Sequence, residues 1–540
     1  MLSKNKLQHN TPETKSSTFA QSKTDMRTIA WFMPSITDAI FVLLLFAMTC
    51  GVLAPRLLGD ADLGWHIRNG ELILRTHTIT RSDPFSFTMQ GRAWYSWEWL
   101  YDAGIAAVHK WAGLNGVVFV TAVVIAFTFA LLFRLTLIRG GNPLITLLLL
   151  LLAFGASAIH LFARPHILSW LFTILWFQIL DSAEPINSSR QYERLYWLPL
   201  IMLFWANVHG EFLLGFVLLG IYFVSGLVHF LFQLQEREEN RIWLQRLGMV
   251  TVFSFFSTFI NPFGYKLHLH IYEYLNNRWL MDHIDEFQSP NFHGLAQQCF
   301  VLLLLIAVAA FTIARRRVRL SQLLVVLFAV QTGFYASRNL PTSCMLLVLI
   351  VAPLFSIASS SDSEGPSFPN LFPKFLSRCR SFTQRMSVME SHLRWHIWSL
   401  VAFILGLWIC AHGGRLGSTQ LMSAHFDPAH FPVEAANLIA KEHIAAPMFT
   451  PDAWGGFLIY RLSPQTKVFV DDRHDLYGAD FFKDHLNVIR VAPNWEKVLD
   501  EKQLRWVLVP SESSLANILK LSTQWKLVHE DHTAVLFERS

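Results

Sequence analysis

The sequence predicts an α-helical polytopic membrane protein with about eleven spans, followed by a C-terminal extramembrane α/β domain. Three observations lead there. The 540 residues are 53% hydrophobic and only 15% charged, where a soluble protein carries closer to a quarter charged residues. Apolar runs of roughly 20 residues, the length that crosses a bilayer, recur from residue 36 to residue 412. Beyond residue 414 the runs shorten and begin to alternate with helical patterns.

The chain divides into a polar tail (1–33), a transmembrane domain (34–413) and the α/β domain (414–540). The tail carries Lys4, Lys6, Lys15, Lys23 and Arg27 and lacks a cleavable signal pattern, so it reads as leading into a retained signal anchor. Spans are expected near 36–56, 114–134, 143–162, 166–182, 195–210, 211–232, 243–261, 296–313, 319–337, 340–358 and 395–412. With the tail in the cytoplasm and Trp94–Trp111 as an interfacial helix, every inside connection is basic: Arg134/Arg139, Arg190/Arg194, Arg237/Arg241/Arg246, Arg315–Arg319 and Lys374–Arg385. This is the positive-inside pattern.

The same orientation places Asp60/Asp62/His66, Arg164/His166, His209/Glu211, Asp282/Asp285/Glu286 and Arg338/Asn339 together on the external face. Ionisable residues beside spans are candidates for function. The first external loop, 56–115, is rich in tryptophan and is expected to hold amphipathic helices lying on the membrane, with a turn at Thr80–Ser86. Residues 359–393 read as a mobile Ser/Pro/basic cytoplasmic loop. In the last domain Lys467–Val470, Arg505–Val509, Trp525–Val528 and Ala534–Phe537 read as strands, and Phe431–Glu442 and Trp495–Glu501 as helices.

Several function classes drop out. There is no GxGxxG, P-loop, G-x-S-x-G elbow or H-E-x-x-H. Basic residues are dispersed without an aromatic platform, so no nucleic-acid partner is expected. None of the five cysteines lies in an external segment, which leaves no external disulfide framework.

The candidate chemistry centres on Gly59-Asp60-Ala61-Asp62-Leu63-Gly64-Trp65-His66. Asp62 and His66 share a face on a helix. A carboxylate pair there is either a helix cap or a general base or metal ligand. Arg164 and Arg338, each in an interspan turn with a proline within the next three residues, are either snorkelling arginines or a phosphate clamp. Asn207, His209 and Glu211 form either a self-satisfied hairpin or a substrate-contacting turn. The acidic loop Asp282–Glu286 and the strand-end cluster Asp471–Asp475 read more simply as solvated charge.

The motifs Asp60-x-Asp62-x-x-Trp65-His66, Arg81–Thr88, Ala163-Arg164-Pro165-His166, Asn207-Val208-His209-Gly210, Asn261-Pro262-Phe263-Gly264, Glu286-Phe287-x-Ser289-Pro290 and Val470–Gly478 together resemble a group of bacterial membrane proteins. That group is related to the GT-C superfamily of membrane glycosyltransferases, which includes dolichyl-phosphate-mannose protein mannosyltransferases. The resemblance implies a GT-C-like fold and an inverting transferase in the bacterial inner membrane. It would take a sugar from a polyprenyl-phosphate-linked donor at the external face and pass it to an unknown acceptor. It further implies Asp60 or Asp62 as general base and Arg164 and Arg338 as phosphate-binding residues; beside them, His66, His166, His209 and Glu211 stand as candidate substrate-binding residues. A divalent metal such as Mg or Mn is left open. A lipid or anion transporter, or a non-catalytic envelope scaffold, are the rival readings. A transporter would place its ionisable residues near mid-membrane.

Overall fold

The computed structural model describes residues 33–185, 192–232, 237–313, 318–355, 373–393 and 396–540. The polar tail, and Arg190 and Arg315–Arg317, lie outside these residues.

The chain opens with α1 (Ile36–Thr49), whose Ser35 cap and Asp38 form a reciprocal capping box. Then come α2 (Asp62–Thr76) and the 40-residue α3 (Trp99–Ile138). α3 breaks at Ala112 and Gly113, where Gly113 takes a positive φ of 58°. The break separates the stretch expected to be interfacial from the span that follows it.

The remaining bundle is α4 (Pro143–Ser157), α5 (His166–Ala183), α6 (Leu198–Val208), α7 (Leu213–Phe232), α8 (Arg237–Ser257), α9 (Lys266–Asn276), α10 (Arg278–Met281), α11 (Leu295–Ile313), α12 (Leu320–Tyr335), α13 (Leu340–Val351), α14 (Pro373–His392) and α15 (Ile397–Ala411). Among the described residues, six helices are long and apolar enough to cross a membrane and three more are apolar but shorter. The basic interspan residues Arg139 and Arg319 sit together at the end of the bundle remote from Asp60, since α5 runs from Arg164 at one end to Asp181 at the other. Residues 373–392 are helical, not an irregular loop.

The C-terminal domain adds α16 (Val433–Lys441), α17 (Asp452–Leu462), α18 (His474–Ile489), α19 (Trp495–Glu501) and α20 (Ser514–Leu521). Its four-stranded sheet runs β3-β4-β6-β5, from β3 (Met448–Phe449), β4 (Trp506–Pro510), β5 (Trp525–Glu530) and β6 (Ala534–Arg539). A separate hairpin, β1 (Arg415–Leu416) and β2 (Thr419–Gln420), starts the domain. The expected strand at 467–470 is instead a single bridge, Val468 to Ser86 of the first loop. Val468 spends its backbone on Phe85 O and Phe87 N rather than on the sheet.

That bridge is part of a larger contact between the first loop and the last domain. α2 is covered by α17, with Asp62, Trp65, His66 and Asn69 buried. Two glycines make this possible. A Cβ on Gly64 would stand 2.0 Å from the Gly456 carbonyl, and one on Gly456 would stand 2.2 Å from the Ala61 carbonyl. Small residues let backbones approach this closely. Arg473 is a second tie. It lies 2.9 Å from Asp83 of the loop and 2.6 Å from Asp471 of its own domain, and its guanidinium packs over Trp94 at 4.6 Å. The tryptophans Trp65 and Trp94, expected at headgroup level, therefore build an inter-domain core.

Candidate functional site

Two turns bring the polar residues together. The Arg164 turn is fixed from both sides: Ala163 N donates to Leu57 O, and Tyr101 Oη donates to Ala163 O at 2.8 Å. The His209 turn is fixed by Asn207, which accepts from Trp99 Nε1 at 2.8 Å and donates to Ile260 O at 2.9 Å. Between them lies a cavity of about 960 Å³. Its polar wall includes Asp60, Asp62, Glu98, Arg164, His209, Glu211, Glu286 and Arg338. Asp452, Asp472 and His474 of the C-terminal domain close it from above. Its lower wall is apolar, with Leu213, Leu214 and Val217 of α7, Phe328 of α12 and Leu346 of α13.

Arg164 clamps the acidic pair: Nη1 to Asp60 Oδ2 at 3.1 Å and Nη2 to Asp62 Oδ2 at 2.7 Å. Asp60 also accepts from Asp62 N at 2.9 Å, so it satisfies the first backbone N–H of α2 from one residue ahead of the Ala61 N-cap, as well as facing the cavity. Asp62 accepts from Trp65 Nε1 at 3.2 Å. Burial raises the cost of charge on Asp62. Arg164, with hydrogen bonds from Asp472 and Trp65, outweighs that cost and holds its carboxyl below the usual range. Burial pushes Asp60 up; Arg164 only partly offsets it, and Asp62 adds to the rise. Asp472 is driven well above the ordinary value by burial and by repulsion from Asp62, Asp452 and Asp60. Two carboxylates at one site cannot both ionise freely, so Asp472 brings a proton to Asp62.

Glu286 bridges the two arginines, at 3.1 Å from Arg338 and 3.8 Å from Arg164. Arg338 also packs over Phe287 at 4.6 Å. His209 stands 2.9 Å from Ser169 Oγ and 3.7 Å from both Glu98 and Glu211.

Three carboxylates, Asp60, Asp62 and Asp472, offer oxygens all within 4.8 Å of one another, and Asp452, Asp472 and His474 form a second such group. An oxygen-rich set of this kind suits a hard divalent cation.

No protein-family profile matches the chain, and no curated protein matches it by sequence. Solved structures do match. The apo oligosaccharyltransferase of Archaeoglobus fulgidus superposes with a TM-score of 0.54 at 9% identity, covering 93% of this chain and 74% of that one. The fold is GT-C-like. The same archaeal enzyme with an inhibitory peptide and dolichol-phosphate gives 0.49 at 10% identity, over 93% and 74% of the two chains. ArnT from Cupriavidus metallidurans, bound to undecaprenyl phosphate, gives 0.46 at 14%, over 97% and 98%.

On this GT-C-like fold, Asp60, Asp62, Arg164, His209, Glu211 and Arg338 all line one cavity, as their grouping in sequence suggested. His66 and His166 do not line it. His66 lies one layer back, with Nδ1 2.6 Å from Asp102, and His166 Nε2 is turned onto His160 O at 2.8 Å. The strand-end cluster is not solvated charge. Asp471 and Arg473 are buried, and Asp472 and His474 face the cavity. Glu286 is likewise a wall residue. Glu98 carried no motif and was missed. Only its place between Trp97 and Trp99, an acid among aromatics, marked it.

Proposed function

We propose that the protein is a membrane glycosyltransferase that moves a sugar from a polyprenyl-phosphate-linked donor to a hydroxyl of an unidentified acceptor. The observation that carries this reading is the two-part cavity. It has carboxylates and arginines at one end and an apolar slot between α7, α12 and α13 at the other. A lipid-linked sugar phosphate has this same division. At about 960 Å³ the cavity sits at the upper end of the range for small-molecule sites, roughly 300–1,000 Å³. A lipid-borne donor also explains the absence of a nucleotide-binding motif.

In this reading Arg164 and Arg338 take the phosphate, whose oxygens match the guanidinium fork. The phosphate displaces Glu286, which holds both arginines in the free protein. An aspartate of the first loop, Asp60 or Asp62, accepts the proton of the attacking hydroxyl. His209 and Glu211 contact the sugar. Asp60, Asp62 and Asp472 are the residues that would hold a divalent cation, which when bound supplies positive charge to the phosphate oxygens. The basic residues Arg134, Arg139, Arg319 and Arg385 at the other end support a reading in which the cavity opens on the external side of the bacterial inner membrane and the C-terminal domain is periplasmic.

The test is transfer of radiolabelled sugar from polyprenyl-phosphate donors in membranes, comparing wild type with Asp60→Asn and Asp62→Asn at matched expression. The reading expects transfer in wild type and its loss in at least one variant that still binds donor. Equal transfer in all three removes the acidic pair from the mechanism.

A further inference from the structure

Glu98 is a wall residue that the mechanism above does not use. It precedes α3 and faces the cavity. Its carboxyl accepts no hydrogen bond among the described residues; two imidazoles stand beside it, His209 Nε2 at 3.7 Å and His66 Nε2 at 3.9 Å. Behind it stands a built support. His66 is 1% exposed and packs its Nδ1 2.6 Å from Asp102, whose other oxygen accepts from Asn69 Nδ2 at 2.6 Å. The ring is further boxed by Trp65 at 3.6 Å and Tyr101 at 5.1 Å between centroids. An Asp–His pair this rigid, aimed at a carboxyl that itself faces the cavity, is an arrangement for moving a proton at that carboxyl.

We propose that Glu98 is a further catalytic residue, the proton donor to the departing phosphate, and that His66 positions and recharges it. The proposal rests on the transferase reading. As the sugar C1–O bond to the phosphate breaks, its electron pair goes to the phosphate oxygen, and that oxygen takes the Glu98 proton. The acceptor oxygen forms the new bond to C1 and gives its proton to the first-loop aspartate. Glu98 is left as a carboxylate facing His66, whose imidazolium stabilises it until a proton returns. The first-loop aspartate and Glu98 thus divide base and acid between them, as two carboxyls in unlike surroundings do.

The proton inventory agrees. Burial pushes the Glu98 carboxyl up to about 8, with His66 pulling it back. The groups acting on it are His66 and Asp62 of α2, Asp102 of α3, and Arg164 and His209 of the two turns. Burial disfavours the His66 cation, but Asp102 overrides it and raises His66. Glu98 therefore holds its proton at neutral pH and loses it as pH rises through about 8. Transfer should fall along that limb.

The experiment uses the full chain in proteoliposomes with a polyprenyl-phosphate-linked sugar donor. It records kcat and KM against pH, and in parallel follows the protonated-carboxyl infrared band. Wild type should show a falling limb centred near pH 8 and a carboxyl band that titrates with it. Glu98→Gln should lower kcat by about 10²-fold or more, leave KM for donor within about twofold, and lose both limb and band. His66→Gln, which keeps Glu98, should move the limb to higher pH, because the cation that favours the carboxylate is gone. That variant decides the matter if Glu98→Gln does not fold. An unchanged kcat or limb in Glu98→Gln, an unmoved limb in His66→Gln, or a missing band overturns the Glu98 assignment while wild-type transfer leaves the transferase reading standing. A wild type inactive with every donor overturns the transferase reading, and the catalytic role of Glu98 with it.

Discussion

Two clusters of buried charge sit at opposite ends of the same bundle. At the end remote from the cavity, Arg139 and Arg319 meet Asp181 and Glu184: Arg139 to Asp181 at 2.6 Å, Arg319 to Asp181 at 2.5 Å and to Glu184 at 2.7 Å. Two cations face two anions, and none of the four lines the cavity. At the other end Asp60, Asp62, Asp472 and Asp452 are gathered with one guanidinium, Arg164, and one imidazole, His474. Four carboxyls crowd the Arg164 guanidinium and line open space, and that crowding drives Asp472 well above its ordinary value. The first cluster is balanced in charge without a ligand and clasps α3, α5 and α12 together. The second is left incomplete, and its missing positive charge must come from protons or a cation. Buried charge alone therefore does not mark a functional site; uncompensated charge facing a cavity does.

The strongest break between the two clusters lies at Arg164. Arg164→Ala removes the proposed phosphate contact and unpins both aspartates. Transfer should fall by about 10²–10³-fold, the usual cost of removing a preorganised charge from a developing anion. The cavity wall stays wetted, so thermal unfolding in detergent should shift little. An Arg164→Ala protein that transfers sugar within threefold of wild type would show that this cluster, too, is only structural.

Asp181→Ala probes the other end. It leaves Arg139 and Arg319 buried with Glu184 as the remaining acid of the four. Breaking a buried pair on one side costs on the order of 3–5 kcal/mol. Unfolding should report that loss, while transfer per folded molecule stays at the wild-type rate. Lost activity in fully folded Asp181→Ala would contradict the division drawn here.

How much of this was legible in the sequence follows the range of the interactions. The spans, the basic connections and the Asp60–His66, Arg164, His209 and Arg338 turns are local patterns, set by hydropathy and by prolines and glycines within a few residues. Each of those turns reaches the same end of the bundle. The docking of the last domain is not local. Gly64 against Gly456 and Arg473 between Asp83 and Trp94 join residues almost 400 positions apart, and a glycine or a charge cluster does not name its partner. For that reason Asp471–Asp475 read as surface charge and Lys467–Val470 as a strand, though the first builds a cavity wall and the second pairs with the first loop. His66 failed in a subtler way. The four-residue spacing from Asp62 was right, but the ring turns to Asp102, which no motif announced.

Those long-range contacts make the next test. Gly456→Ala puts a methyl against the Ala61 carbonyl, where a Cβ would stand only 2.2 Å away. The backbones must part, at about 1–3 kcal/mol for overpacking. Because Asp472 rides on the displaced domain and Asp62 on α2, transfer should fall as well, which Asp181→Ala does not cause. Gly248, where a Cβ would meet nothing, is the matched control: Gly248→Ala should change neither stability nor transfer.

The smallest effect has the most informative sign. Asp472→Asn takes one of four carboxyls out of the cluster around Arg164 but keeps the shape and a donor toward Asp62. If the cluster holds an excess of charge that function requires and folding does not, the variant should be more stable than wild type by about 0.5–2 kcal/mol, the usual gain when a functional strain is relieved. Its transfer should meanwhile decline. The equivalent change at the balanced cluster, Asp181→Asn, should destabilise. Measured side by side by thermal unfolding, the two asparagine variants should move in opposite directions. Movement in the same direction would mean that the external cluster is already compensated in the free protein, by a bound cation at Asp60, Asp62 and Asp472. In that case chelation should destabilise wild type and leave Asp472→Asn nearly unchanged, a result that would separate a metal-held site from a proton-held one.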